Sequence, residues 1–372
     1  MNKNTFRKKV EEELSKADIR INGDRQTDIS VHNDSFYPRV LEQGSLGLGE
    51  SYMEGWWDCR SLDEFMYRVL RTRLDERVRT LRSVGYWLQA KIFNLQKGNG
   101  AYRIGKRHYD IGNDLFQCML DRRMIYSCAC WQNADTLEEA QEAKLELICR
   151  KLKPETGMKV LDIGCGWGGT ALFIADSCGV EVTGITVSKE QADYGSRTCQ
   201  GKPVKIEFKD YREIGGKFDR IVSVGMFEHV GYKNHRTFFE TVRKLLDRDG
   251  IFVLQTIGGN RSRNRTDPWI DKYIFPDSNL PSPKMIATAA EGVFVVEDWQ
   301  NLGADYDRTL MQWFRNFKEN WPSLKQKYGE RFYRMWTYYL LTCAGAFRAR
   351  RNQLWQIVMS PRGVEGGYRF SR

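Results

Sequence analysis

The residues with most chemical promise lie at the ends of apolar runs. Val160-Leu161-Asp162-Ile163 leads straight into Gly164-Cys165-Gly166-Trp167-Gly168, an apolar strand followed by a glycine-rich turn that opens a helix. Glycine permits a tight turn and lets the backbone come close to a bound molecule, and the carboxyl ends of strands in open α/β sheets are where ligands settle. Glu228, beside His229, falls at the end of a later strand. A carboxylate partly shielded from water there has a raised pKa and can share a proton. Neighbours on a strand point oppositely, so Glu228 is expected to face the site and His229 to be structural. Cys343 lies in a C-terminal helical tract and is a conceivable nucleophile, although small buried cysteines are usually inert packing.

The elements that must position these residues alternate in kind. Strands are predicted at Lys159 to Ile163, Val180 to Ile185, Val204 to Phe208, Arg220 to Val224, Ile251 to Gln255, Phe294 to Val296 and Leu354 to Met359. Helices are predicted between them at Gly169 to Cys178, Lys189 to Cys199 and Arg236 to Leu246. Seven strands with this alternation suit a parallel, doubly wound sheet covered by helices. An insertion from Gly258 to Pro283 and an aromatic helical tract from Tyr306 to Arg351 break the rhythm. Upstream, Leu74, Val78, Leu81, Leu88, Ile92 and Leu95 draw one apolar helical stripe, and Gly98-Asn99-Gly100 supplies turn chemistry for a domain junction. The expected organisation is a smaller, mainly helical N-terminal domain over residues 1–100 and a catalytic domain over 101–372.

With 372 residues, 41% of them apolar, the chain can bury a sizeable core, and no apolar run is long enough to cross a bilayer. Glu11, Glu12 and Glu13 stand where a secretory signal would need an apolar run, and nine cysteines without a CxxC pair suit reduced thiols, so a cytoplasmic protein is expected. The net charge of +10 favours an anionic partner. Arg71 to Arg107 holds ten basic residues against two acidic ones, and Arg348 to Arg372 six arginines against one acid. A membrane-surface helix competes with a core helix as the reading of the first tract.

The glycine turn has GxGxG spacing rather than the dinucleotide GxGxxG, follows a strand directly and carries Asp162 before the glycines. It resembles the turn of the class I S-adenosylmethionine-dependent methyltransferase fold. In that setting the second strand commonly ends in an acidic residue, whereas this chain reads Thr186-Val187-Ser188, so Gln191 is expected to help hold the ribose. Asp210, followed by Tyr211 and Arg212, would accept a hydrogen bond from the adenine amine. The Pro-Pro-aromatic block usual after the fourth strand of enzymes that methylate base amines is replaced by Gly225-Met226-Phe227-Glu228-His229-Val230, which argues against a nucleic acid substrate.

Several blocks coincide further: Tyr126-Ser127-Cys128-Ala129, the glycine turn, Met226-Phe227-Glu228-His229-Val230-Gly231, Asp267-Pro268-Trp269-Ile270, Gly303-Ala304-Asp305-Tyr306 and Cys343-Ala344-Gly345-Ala346-Phe347-Arg348. Over nearly the whole chain they closely resemble the bacterial cyclopropane-fatty-acid-phospholipid synthases, a branch of the mycolic acid cyclopropane synthase family. The resemblance implies a homodimer on the inner membrane face, acting on cis double bonds in phospholipid acyl chains. It implies cofactor contacts at Tyr126, Ser127, Gly164, Gly166, Thr186, Gln191, Tyr211 and Arg212, with Cys165 and Asp210 beside them. It also implies a bound bicarbonate at Cys128, Glu228, the backbone of Ile257, and Tyr306. Where the family pattern has a histidine this chain has Gln255, which still offers an N–H donor but no positive charge.

An alkene is a weak nucleophile, so positioning against an activated methyl must dominate the acceleration. Aromatic faces can stabilise the resulting carbocation, with Phe227, Trp269, Tyr306 and Trp313 as candidates, each also a reasonable core residue. A weak base such as bicarbonate then suffices to remove a methyl proton. Competing readings are a methyltransferase that leaves a methyl branch on the acyl chain, a basic nucleic-acid methyltransferase, and a catalytically silent membrane-surface protein.

Overall fold

A computed structural model of the chain describes residues 3–77 and 111–370, which fall into two compact units. One gathers residues 111–263, 277–305 and 353–370, the other residues 3–77, 264–276 and 306–352. The expected junction at 98–100 and the apolar stripe beyond Arg77 lie outside the described residues. Only the start of that stripe, Leu74–Arg77, is described, and it is helical.

In the N-terminal unit β1 (Ile29–Val31) and β2 (Trp57–Cys59) form an antiparallel pair among helices. Trp57 is fully buried, and its indole donates to the Leu48 carbonyl at 3.0 Å. The helix Leu62–Arg71 packs on the helix Glu330–Arg348 at Gly345, where a Cβ would run into the Asp63 carbonyl. Arg348 bridges Asp63 at 2.8 Å and Asp307 at 2.9 Å, and Arg351 holds Asp75 and Glu76. Two arginines of the second basic tract are therefore neutralised locally rather than presented to an anion.

The larger unit is built on a seven-stranded sheet. Its strands are β3 (Lys159–Ile163), β4 (Glu181–Thr186), β5 (Val204–Phe208), β6 (Phe218–Val224), β7 (Leu246–Gly259), β8 (Val295–Asn301) and β9 (Asn352–Ser360). Their spatial order is β5-β4-β3-β6-β7-β9-β8, parallel from β5 to β7, with β8 antiparallel to β9. This is the class I methyltransferase arrangement expected from the sequence. Both faces are covered, which is why the strands are almost continuously apolar. Val160, Val222 and Val253 meet Ile148, Leu152 and Ile174 on one face, while their neighbours Leu161, Ile221 and Phe252 meet Phe238, Phe239 and Ile286 on the other. Strands are added outward in opposite directions from β3, whose neighbours are β4 and β6, so a crevice opens at their carboxyl ends.

Several element boundaries differ from expectation, and three of the differences have a clear physical reason. β7 begins at Leu246 because Leu246 pairs with Phe218 across a bulge, although Asp247 to Gly250 are not apolar. β8 runs on to Asn301 through polar residues because a strand at the sheet edge needs only its ladder with β9, not two buried faces. The tract from Tyr306 is two helices, Gly303–Tyr328 and Glu330–Arg348, parted by Gly329 at φ 75°, and residues from Asn352 onward are strand.

Candidate active site

All ten residues expected near the cofactor line one pocket at the carboxyl ends of β3, β4, β5 and β6: Tyr126, Ser127, Gly164, Cys165, Gly166, Thr186, Gln191, Asp210, Tyr211 and Arg212. The glycine turn is anchored to β4, since the Gly164 and Cys165 amides both donate to the Ile185 carbonyl, at 2.9 and 3.0 Å. Gly164 has φ 83°, and a Cβ there would lie 2.6 Å from the Met226 Cβ. Gly166 has φ 56° but faces open space, so its glycine is required by the left-handed backbone and by the pocket volume, not by a neighbouring atom. The Cys165 thiol is buried against β4 and burial holds its pKa well above the usual range, which makes it packing rather than a nucleophile.

Where an acid was expected at the end of β4, Thr186 donates from its hydroxyl to Gln191 Oε1 at 2.8 Å, and both are buried. The helix carrying Gln191 is capped by Ser188, whose hydroxyl accepts the Gln191 amide at 3.3 Å. Asp210 is gripped by Arg212, with Nε to Oδ1 at 2.7 Å, and that bond raises the guanidinium pKa. Tyr211 packs edge-on against Phe238, and burial pushes its hydroxyl up to about 12, so it stays neutral. Asp162, buried beneath the turn, is pushed up to about 7 by desolvation, with Lys144 pulling it back. Its Oδ2 finds no hydrogen-bond partner in the protein.

A second cluster lies beside this pocket, not in its lining. Glu228 is buried, and desolvation raises its pKa to about 7 while the Ile257 amide, donating to Oε1 at 2.6 Å, lowers it. Gln255 stands two residues before Ile257 on β7, hence on the same face, and its Oε1 accepts from Gln356 at 2.8 Å. Glu228 Oε2 and Gln255 Nε2 are both buried without a hydrogen-bond partner. An acceptor and a donor left open in one region fit a small anion that carries a proton. The backbone N–H of Ile257, which the resemblance would give to that ion, is engaged by Glu228. Cys128 is buried nearby in sequence to the pocket wall, and its thiol donates to the Ala129 carbonyl at 3.2 Å.

The expected assignment of Glu228 to the site and of His229 to a structural role is reversed at the glycine pocket. β6 ends at Val224, and Phe227–His229 is a single turn of 3-10 helix, so strand alternation does not govern them. His229 lines the glycine pocket while Glu228 does not, and burial holds the imidazole down at about 4, neutral at ordinary pH. Met124, Ile125, Met226 and Val230 also line the pocket and were missed, being apolar residues with no spacing signal, although all lie within two residues of blocks already singled out. Phe227 belongs to the aromatic core, stacked on His235 with ring centroids 4.4 Å apart, and is not in the lining.

Tyr306, Cys343, Trp269 and Trp313 belong to the N-terminal unit. Tyr306 is buried between Trp313 and Phe347, and Trp269 packs on Tyr338 beside Gly49. Burial pushes the Cys343 thiol up to about 12, so it is protonated and a poor nucleophile.

The sheet order and the glycine pocket define a class I methyltransferase. Residues 96–357 match the family model for mycolic acid cyclopropane synthetase, and the chain belongs to that family. It is an S-adenosylmethionine-dependent methyltransferase. It is 54% identical to the cyclopropane-fatty-acyl-phospholipid synthase of Escherichia coli K12 over 364 residues, 96% of this chain and 94% of that protein. It is 38% identical to a probable fatty acid methyltransferase of Pseudomonas putida over 68% of this chain and 67% of that protein. Among solved structures it superposes on the cyclopropane synthase MmaA2 of Mycobacterium tuberculosis with a TM-score of 0.66, at 32% identity, covering 69% of this chain and 97% of the other. The mycolic acid cyclopropane synthase CmaA1, solved with SAH and CTAB, gives 0.65 at the same identity and coverage.

Proposed function

We propose that this chain adds a methylene from S-adenosylmethionine across the cis double bond of unsaturated acyl chains in membrane phospholipids. The observation that carries this reading is the match to the E. coli phospholipid-modifying synthase along 96% of the chain, where the MmaA2 structure covers only 69%. The glycine pocket would hold the cofactor, with the turn and Asp162 at its amino-acid end, Thr186 and Gln191 at the ribose, and Asp210 and Tyr211 at the base. When bound, the cofactor supplies an electrophilic methyl group. The apolar wall made by Met226 and Val230, with neutral His229, keeps water from the alkene without adding a charge that would capture a carbocation.

A proton must then leave the new methyl group before the ring closes. Glu228, shielded and half ionised near pH 7, would orient a bicarbonate and share its proton, while Gln255 Nε2 would donate to the anion. Cys128 belongs to the same proposed set, while the Ile257 amide acts on Glu228 rather than on the ion. No described helix is long and apolar enough to cross a membrane. Access to the acyl chains would come from peripheral binding, as a homodimer on the inner face. A net charge of +10 supports attraction to anionic lipid.

The test is incubation with vesicles of one mono-unsaturated phospholipid and mass analysis of the released chains. A gain of one CH2 that resists hydrogenation is the expected product. A gain of CH4 with a saturated methyl branch, or a gain of CH2 in a branched chain that still takes up hydrogen, would instead support a fatty acid C-methyltransferase, the activity named for the Pseudomonas putida relative.

A further inference from the structure

Under the glycine pocket the helix Leu137–Leu152 turns two polar side chains inward, Gln141 and Lys144, and both are fully buried. Their spacing of three residues puts them on one helix face. Both reach the same target. Lys144 Nζ donates to the Ser127 hydroxyl at 3.1 Å, and Gln141 Nε2 donates to the Ser127 carbonyl at 3.0 Å and the Ile125 carbonyl at 3.4 Å. From the other end Asp121, also buried, accepts the Arg123 and Ile125 amides, each at 2.9 Å. The segment from Asp121 to Ser127 is thus pinned along its length by buried side chains, and Met124 through Ser127 form one wall of the pocket.

An ammonium is expensive to bury, and a hydroxyl partner alone does not compensate for it. Amides and aliphatic residues would hold the loop more cheaply, so the charge itself needs a use. Burial drags Lys144 down to about 8, and the groups that pull it back are Asp121, Cys128 and Asp162. Asp162 lines the pocket and has an open carboxylate oxygen. Besides Lys144 it interacts with the Cys165 thiol of its own turn, which stays neutral.

We propose that Gln141 and Lys144 are positioning residues of the cofactor pocket: together they hold the Ile125–Ser127 wall in place through their bonds to Ser127 and Ile125, with Lys144 as a buried positive charge that favours the carboxylate form of Asp162. This rests on the reading of the glycine pocket as the S-adenosylmethionine site. Neither residue touches the reacting atoms. Their effect belongs to cofactor affinity, not to turnover.

The experiment measures S-adenosylhomocysteine binding by calorimetry from pH 6 to pH 9, together with steady-state kinetics on unsaturated vesicles, for the wild type, Lys144→Met, Gln141→Leu, Asp162→Asn and Gly166→Val. Loss of a charge-assisted bond should weaken binding about tenfold in Lys144→Met and loss of a neutral one about threefold in Gln141→Leu, with kcat at saturating cofactor within about twofold of wild type in both. Wild-type affinity should fall as pH drops through about 7, where Asp162 takes up its proton. Lys144→Met should move that midpoint upward, Gln141→Leu should leave it, and Asp162→Asn should abolish it. A merely structural role would lower the melting temperature and leave the midpoint and the cofactor KM where they were, and that result overturns the proposal. If Lys144→Met does not fold, unchanged affinity in Gln141→Leu, or pH-independent binding in the wild type, overturns it equally. Gly166→Val separates the two levels of inference. Normal binding in that variant removes the pocket assignment and this proposal with it, whereas abolished binding there beside an unaltered Lys144→Met removes the positioning role alone.

Discussion

Glu228 keeps a proton up to about pH 7 because water cannot reach it, and the hydrogen bonds that favour its charged form, the Ile257 amide foremost, do not offset that. A carboxyl whose pKa is raised on folding contributes stability that is fully present below its unfolded value and lost as pH rises through the folded one. A rise from 4.5 to about 7 in a fully buried group corresponds to about 3 kcal/mol at alkaline pH. Glu228→Gln should therefore be more stable than wild type at pH 8, with the difference gone by pH 4, as read from melting temperatures across that range. The same variant should lose most of its turnover while S-adenosylhomocysteine binds normally, because Glu228 lies outside the pocket lining. In the proposed anion site Gln255 is a neutral donor where the family pattern has a histidine, so the anion would lack the Coulomb attraction of a cationic donor. On the proposed bicarbonate mechanism, activity should require more of the ion, and Gln255→His should lower the concentration for half-maximal activation without altering the product. Equal activity with and without the ion in both proteins would transfer the role of base to Glu228.

At the scale of elements, the helix Leu137–Leu152 has two tasks, since one face closes the core through Leu145, Ile148 and Leu152 and another carries Gln141 and Lys144 to the pocket wall. Its start is set by a capping box, in which the Thr136 hydroxyl accepts the Glu139 amide at 3.2 Å and the Glu139 carboxylate accepts the Thr136 amide at 3.1 Å. Thr136→Ala removes one of the two bonds and should cost about 1 kcal/mol, visible as a lower urea midpoint with an unchanged slope. Cofactor affinity should stay near wild type, because the cap is one turn away from Gln141. The short turn Phe227–His229 shows the opposite economy. Three residues end a strand, place His229 in the pocket and turn Glu228 away from it.

Across the whole molecule the charge excess is concentrated in sequence rather than spread evenly. Ten basic residues lie between Arg71 and Arg107, whereas in the C-terminal tract Arg348 and Arg351 are committed to acidic partners. A basic segment gains roughly 1 kcal/mol per Lys or Arg near an anionic membrane. Arg77→Glu combined with Arg82→Glu should thus weaken binding to anionic vesicles at low salt and leave S-adenosylhomocysteine binding intact. Sedimentation with vesicles checks this, and unchanged affinity would mean that the tract serves a purpose other than the lipid surface.

The sequence by itself determined the class of sheet, the glycine turn and the ten pocket positions, because these depend on local properties: burial of alternating strand residues, glycine's left-handed backbone, and contiguous blocks shared with a family. Boundaries were lost where pairing rather than hydrophobicity extends a strand, as at Leu246 and Asn301. The side on which Glu228 and His229 point was decided by the end of β6 at Val224, which no local pattern announces. Only the tertiary structure could show that Lys144, on its face an ordinary charged helix residue, is sealed under the pocket with Ser127 and Asp162, since the cost of burying its charge and the groups that offset it come from segments far apart in the chain.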